Sequence, residues 1–491
     1  MKRKSIVSFF ILVALCCSVS AQQPEDVYRA PLEDVLKQVE QQYQVKLEYE
    51  AKNVKGLSVT YATWKFKPEF AATMDNILKP LELVYSSKGN NVYEVKKYEY
   101  FRRTEAEGAF HLQKLLTLYH DAAGFDERRK ELRECIFRTM GINPNPSPGV
   151  NRNPLHAIIR SKRIMKGYTV ENVAFESFPG FYVTGSLYRP LNPPKGSGKG
   201  KIAAILCPHG HFYNKVDPSI PDERGRYRPD MQYRCAALAK MGAMVLDYDM
   251  YGYGESVLET GNKSYHRTGF ANAVQTWNSI RAIDFLLSLG DVDPRRIGVT
   301  GASGGGTQTF LVTALDDRVT ASVPVVMVSS SFYGGCPCES GLPFHDCGRY
   351  KTNNAEIAAL AAPRPQLVIS DGNDWTKSVP GTDYPYLQTI YGFYGQKDKV
   401  QNVHLPHDQH DYGFTKRVPM YRWFADVFGL DLSAVTDKEG KIDESGVTIE
   451  TANAQLVFGK DFPLPADALR SHEAIVKAFE EFQGMPFPRG R

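Results

Sequence analysis

The chain has 491 residues, of which 42% are hydrophobic, 12% aromatic and 23% charged. That exceeds one ordinary domain of ~100–200 residues and is too apolar for a disordered chain. Its 59 Lys and Arg against 55 Asp and Glu leave a formal net charge of +4 with no block of five like charges, so no nucleic-acid partner is expected. A single long apolar run, at the very start, excludes a polytopic membrane protein.

That run begins with Lys2, Arg3 and Lys4, continues through the apolar Ile6–Cys17 and ends on Val19-Ser20-Ala21. It is shorter than the ~20 residues that span a bilayer, and the small residues suit cleavage. The expectation is a signal peptide over 1–21, leaving no integral membrane segment and placing the mature protein in the periplasm, with secretion as the alternative. Leu15 is too bulky for lipoprotein processing at Cys16. Of eight cysteines six remain, too few for a disulfide-built fold of this length.

Residues 22–97 read as a small α+β module. Leu32, Val35, Leu36 and Val39 fall at helical spacing, and a second helix is expected over Phe70–Leu81. Val45–Glu50 and Leu57–Tyr61 alternate as strands, and Lys88-Gly89-Asn90-Asn91 marks a turn before a strand at Val92–Val95. The pattern resembles the short N-terminal domain of secretins and TonB-dependent receptors, which implies docking to an envelope partner. Residues 98–165 are expected to form a helical lead-in, interrupted at 143–148.

From 166 to 430 short apolar strands alternate with helices, the pattern of a mostly parallel sheet flanked by helices. Strands are expected at 169–176, 182–189, 203–207, 243–248, 297–300, 323–328, 366–370 and 402–405. Helices are expected at 231–241, 272–289, 304–315 and 419–428. The tail, 431–491, is expected to add a strand and a helix to this body.

The chemistry concentrates at the ends of these strands. Ile297–Thr300 runs into Gly301-Ala302-Ser303-Gly304-Gly305 and directly into a helix, the strand–turn–helix setting of a nucleophile elbow. A serine nucleophile needs a base and a carboxylate to orient it, in the chain order Ser, acid, His. After the strand 366–370, Asp374 lies at the far side of the turn; Asp371 could cap that turn, and Asp383 is more distant. After the strand 402–405, His410 lies deepest in the loop, ahead of His407, while His404 belongs to the strand. Asp249–Ser256 resembles a turn that orders the cleft wall in α/β-hydrolases and is given no catalytic part.

Two stretches offer metal-ligand residues, and spacing speaks against both. His209-Gly210-His211 lacks further ligands immediately after it. Cys336, Cys338, His345 and Cys347 match no standard zinc spacing, so a local disulfide or buried free thiols are expected there. Neither a metal nor a cofactor is expected.

With the Ser303, Asp374 and His410 motifs, Gly334–Glu339, Thr352–Leu360, Ala362-Pro363-Arg364-Pro365 and Asp374-Trp375-Thr376-Lys377 resemble the bacterial acetylxylan-esterase-like α/β-hydrolases, related to dienelactone hydrolases. The resemblance implies an α/β-hydrolase fold and a serine carbohydrate esterase that removes acetyl or methyl esters from plant polysaccharide. It implies an oxyanion hole from the backbone N–H groups of His211 and Gly304. Ser340–His345 departs from relatives, whose segment after Glu339 is shorter and contains an amide. Arg224, Arg226, Glu339 and Trp375 are the expected substrate contacts, the arginines because a guanidinium pairs with a uronate carboxylate. The alternatives are a pectin or uronate methylesterase specifically, and a non-catalytic envelope binding protein docked through its N-terminal module.

Overall fold

The computed structural model describes residues 29–60, 62–81, 83–97, 103–144, 153–191, 201–211 and 225–488. The leader-like run 1–21 and Arg224 lie outside the described residues. The chain divides into two compact units, one ending at Glu99 and the other beginning at Tyr100.

In the first unit, Leu32–Tyr43 is a helix whose Leu32, Val35, Leu36 and Val39 are all buried. A three-stranded sheet sets Val92–Lys97 between Lys46–Tyr49, parallel, and Leu83–Gly89, antiparallel. Asn90 and Asn91 join the hairpin with φ of 50° and 57°, the left-handed pair that a tight hairpin turn requires. Met74 and Ile77 of the helix Phe70–Leu78 complete this unit's own core.

The second unit is built on a nine-stranded sheet. Its strands are β1 (Ile158–Ile164), β2 (Tyr168–Phe178), β3 (Phe181–Pro190), β4 (Ile202–Leu206), β5 (Met244–Tyr248), β6 (Val292–Ala302), β7 (Ala321–Val325), β8 (Gln366–Asp371) and β9 (Val400–Leu405). The spatial order is β9-β8-β7-β6-β4-β5-β3-β2-β1. β4 to β9 are mutually parallel, and β1 to β3 add an antiparallel flank. The longer helices are α1 (Glu105–Leu115), α2 (Ala122–Met140), α3 (Pro229–Lys240), α4 (Gly269–Ser288), α5 (Gly304–Leu315), α6 (Asp383–Phe393), α7 (Phe414–Phe428) and α8 (His472–Gln483).

Alternation along the strands sorts side chains to two cores. Ala204 and Leu206 of β4 face the core that holds Trp277 of α4 and Phe310 of α5. Ala203 and Ile205 face the core that holds Leu238 of α3 and Phe424 of α7. Both faces of the parallel strands are therefore covered, and their runs are continuously apolar. Trp277 is fully buried and donates Nε1–H to the Ser177 carbonyl at 3.1 Å, which makes it a core residue.

Two expectations need correcting. The lead-in 98–165 is not helical to its end: Ile158–Ile164 forms an edge strand, whose polar run (Arg160, Ser161, Lys162, Arg163) hid its pairing with β2. The tail supplies helix α8 but no strand among the described residues, only an isolated bridge between Thr436 and Ile442. There the buried Glu255 carboxylate accepts from the backbone N–H of Val457 at 2.8 Å and Phe458 at 2.7 Å, doing for this segment what a ladder would do.

Cys135 of α2 forms a disulfide with Cys347, 212 residues on, while Cys207, Cys235, Cys336 and Cys338 are free and buried. The cysteines near 336 thus divide: Cys347 makes a long-range link, and Cys336 and Cys338 keep their thiols.

Candidate active site

Ser303 sits between β6 and α5 with φ 79° and ψ −114°, a region a non-glycine residue enters only under constraint. The constraint is crowding from the loop after β4. A Cβ on Gly301 would lie 2.4 Å from the Pro208 carbonyl oxygen, and one on Gly305 only 2.2 Å from it. Only glycine permits this approach, which brings Pro208–His211 over the turn. Gly304 opens α5, where the first backbone N–H groups have no partner within the helix and favour negative charge.

The residues expected to work with Ser303 stand in line. His410, after β9, places Nε2 3.0 Å from Ser303 Oγ and Nδ1 2.6 Å from Asp374 Oδ2. Asp374, after β8, is fixed in turn: its Oδ1 accepts from the Thr376 backbone N–H and hydroxyl, both at 2.6 Å. The carboxylate can only accept, so Nδ1 carries the proton and Nε2 faces the hydroxyl as a base. Of the alternatives, His407 is exposed, and His404 lies on β9 against Ser370 Oγ at 2.9 Å. Asp371 accepts from Asn373 N–H at 3.1 Å, as a turn cap does. Asp383 accepts from Ser330 N–H at 2.8 Å, and burial pushes its carboxyl up to about 6.

Behind the line, the fully buried Lys416 of α7 joins the two loops. Its ammonium donates to the Gln409 carbonyl at 2.5 Å and to Asp411 Oδ1 at 3.0 Å, and lies 3.2 Å from Asp371 Oδ2. Burial pushes the Asp371 carboxyl up, as does the neighbouring Asp374.

A cleft of about 650 Å³ opens on Ser303 and His410, walled by His211, Arg228, Tyr233 and Arg417. A second recess of about 850 Å³ shares His410 and is lined by Trp375, Phe332 and Arg103. The Trp375 ring lies 4.5 Å from that of His410 and 4.2 Å from that of Phe332. A polarised hydroxyl, an oriented imidazole and unpaired N–H groups beside a cleft form a constellation able to cleave an acyl bond.

Comparison with known proteins bears on this constellation. Residues 242–350 match the acetyl xylan esterase (AXE1) family. The solved structure of the methylesterase BT1017 is 42% identical, covers 94% of this chain and 100% of its own, and superposes with a TM-score of 0.69. The chain belongs to the family of BT1017. It is a carboxylic ester hydrolase with the α/β-hydrolase fold, of the carbohydrate-esterase kind. YtaP of Bacillus subtilis (strain 168) is 25% identical over 282 residues, 55% of this chain and 90% of its own. The acetyl esterase Axe7A of Xylanibacter ruminicola is 27% identical over 154 residues, 28% of this chain and 32% of its own.

In this esterase two expected substrate contacts are displaced. Arg226 is fully buried and faces inward, 3.0 Å from Asp249 Oδ1 and 2.8 Å from Glu255 Oε2. Its guanidinium neutralises the Asp249–Ser256 turn and cannot reach a ligand. Glu339 is also buried: Oε2 accepts from Gly335 N–H at 2.7 Å, and Oε1 lies 3.1 Å from His211 Nδ1. Trp375 does lie beside the line. Among the described residues of this loop, Arg228 is the arginine that lines the cleft, paired with Asp230 at 2.8 Å. Its place beside Arg226 in the sequence gave no sign of which would face inward.

A second constellation joins the halves of two metal readings that spacing had set aside separately. His211, His266, Cys336 and Cys338 each bring one donor atom to a common point, all within 4.8 Å of one another. They come from three segments far apart in the sequence, and His266, which closes the set, carries no local signal.

Proposed function

We propose that this chain is an exported serine esterase that removes methyl esters from uronic-acid units of plant cell-wall polysaccharide, through an acyl-enzyme on Ser303. The hydrogen-bonded line Ser303–His410–Asp374 on the strained turn is the observation that carries the reaction. Methyl ester is favoured by the likeness to BT1017 over nearly the whole chain. Acetyl ester is the second reading, favoured by the AXE1 match over 242–350.

The steps follow from the geometry. Ser303 Oγ attacks the ester carbonyl as His410 Nε2 takes its proton, and Asp374 stabilises the imidazolium through Nδ1–H. The backbone N–H groups of Gly304 and His211 accommodate the oxyanion. The alkoxide leaves as methanol with the proton from His410, and the uronyl group stays esterified to Ser303. Water, deprotonated by His410, then attacks that ester, the Ser303 oxygen recovers the proton, and a sugar carboxylate departs. Arg228 and Trp375 at the mouth of the site suit an anionic sugar: a guanidinium for the product carboxylate, an indole face for the ring. Export is supported by the Cys135–Cys347 disulfide, a bond that persists in oxidising compartments.

The test measures methanol from methylated polygalacturonan and acetate from acetylated xylan, for the mature chain and for Ser303→Ala. Methanol release that Ser303→Ala abolishes supports the reading. Acetate alone transfers the case to the second reading, and equal rates for both proteins overturn the serine mechanism.

A further inference from the structure

We infer that His211, His266, Cys336 and Cys338 form a closed, four-ligand site for a zinc-class divalent ion, which clamps the loop over Ser303 to the two loops packed against it. Two imidazoles and two thiols are a zinc donor set. A tetrahedral ion with bonds of ~2.0–2.3 Å holds its donors roughly 3.3–3.8 Å apart. The donors of the cluster lie from 2.5 Å to at most 4.8 Å apart, a range that brackets that spacing.

The hydrogen-bonding partners behind the cluster argue for an ion independently. His266 Nδ1 lies 2.7 Å from the Tyr251 carbonyl oxygen, which can only accept, so Nδ1 carries the proton. A neutral His266 then presents Nε2 as a bare lone pair. The buried Glu339 carboxylate lies 3.1 Å from His211 Nδ1 and sets the same tautomer there. The two Nε2 atoms nevertheless face one another at 2.5 Å, with Cys338 Sγ 3.0 Å from the His211 nitrogen. Two lone pairs at that distance repel unless a proton or a metal cation stands between them, and a bound ion would satisfy both rings and the neighbouring sulfur at once. A carbonyl behind one imidazole and a carboxylate behind the other are the supports that metal-bound histidines have. Cys336, Cys338 and His266 are almost wholly buried, which shields thiolate ligands from solvent and oxidants.

The site would stiffen rather than react. Four protein donors leave no open position for water or substrate. Its place in the fold gives the clamp a purpose: a Cβ on Gly304 would lie 2.7 Å from His211 Cε1 and 3.1 Å from Glu339 Oε1, so the ring and carboxylate rest on the residue after Ser303. Fixing the His211 ring fixes the backbone proposed to bind the oxyanion, and this positioning role rests on the esterase reading, whereas the binding does not.

Metal content of the full-length protein, purified and incubated with equimolar zinc, should be about one ion per chain by elemental mass spectrometry. Cobalt(II) in its place should give thiolate-to-cobalt charge-transfer and tetrahedral visible bands. Cys338→Ser and His266→Ala should lose both signals, while Cys207→Ser and Ser303→Ala keep them. Stripping the ion with a chelator should lower kcat more than KM, with recovery on adding zinc. A chain that binds neither zinc nor cobalt overturns the site, as does a Cys336–Cys338 disulfide found by peptide mapping. Full occupancy with kcat indifferent to the chelator overturns the clamp. An inactive wild type that still binds one zinc would sink the esterase reading and leave the site standing.

Discussion

At the scale of single residues, the direction a buried side chain takes and the partners it meets decide what its charge can do. Arg226 and Arg228 are two positions apart, yet the first neutralises two buried carboxylates and the second lines the cleft. Arg226→Met should therefore lower unfolding stability by about 3–5 kcal/mol, the cost of stranding buried charges. Its KM should stay unchanged in whatever protein remains folded; chemical denaturation and initial rates on one preparation check both. Asp374→Asn replaces the acceptor that fixes the His410 tautomer with an amide able to donate. Its kcat should fall by roughly 10³–10⁴-fold with little effect on stability, which a steady-state assay beside a melting curve resolves.

At the scale of elements, the lead-in is held to the loop around 345–354 by a covalent link and by the buried His111, while His345 braces that loop from within. The Cys135–Cys347 disulfide closes a 212-residue loop, and the double Cys→Ser variant should lose up to roughly 5 kcal/mol of stability. Denaturant midpoints with and without reductant measure that loss. His345 stacks on Tyr333 and meets Asn354 Oδ1 at 2.7 Å, and burial pushes it down to about 4. His111 meets the Tyr350 carbonyl with Nε2 at 2.8 Å and the Arg103 and Asn353 donors with Nδ1, and burial pushes it to about 4 as well. The unfolded chain protonates such residues near pH 6.5. Unfolding thus takes up protons between about pH 6.5 and 4, and stability falls as pH drops through that window, by up to about 1.4 kcal/mol per pH unit for His345. Melting temperatures from pH 7.5 to 4.5 should show this, with a shallower fall in His345→Phe.

At the scale of the whole molecule, the Ser303 line, its cleft and the four-donor cluster all belong to the unit that begins at Tyr100, and the first unit has a core of its own. A chain of residues 100–491 should hydrolyse an activated ester with the kcat of the full protein; a tenfold loss would show that the first unit takes part. The line was legible in the sequence because chain order and strand ends fix where a nucleophile, acid and base fall. The parallel strands were legible because both their faces are apolar. What stayed hidden depends on three dimensions: the charged edge strand β1, the inward turn of Arg226, and a His-Cys cluster drawn from three loops. A pattern along one strand or helix reports its neighbours in sequence, whereas these features are set by partners on other elements: β2 for β1, Asp249 and Glu255 for Arg226, and separate segments for the cluster.

The placement of Lys416 reaches beyond its own loop. One ammonium, sealed from water, holds the turn before Asp374 and the loop that carries His410. The spacing of acid and base is thus governed by a charge that counterions cannot approach, since salt screens exposed pairs far more than buried ones. An enzyme acting on the uronic-acid polysaccharide proposed above would meet local ionic strengths that vary steeply. This joint would keep its proton relay in register across that range, leaving salt to act on how the polymer is captured and not on how the bond is broken.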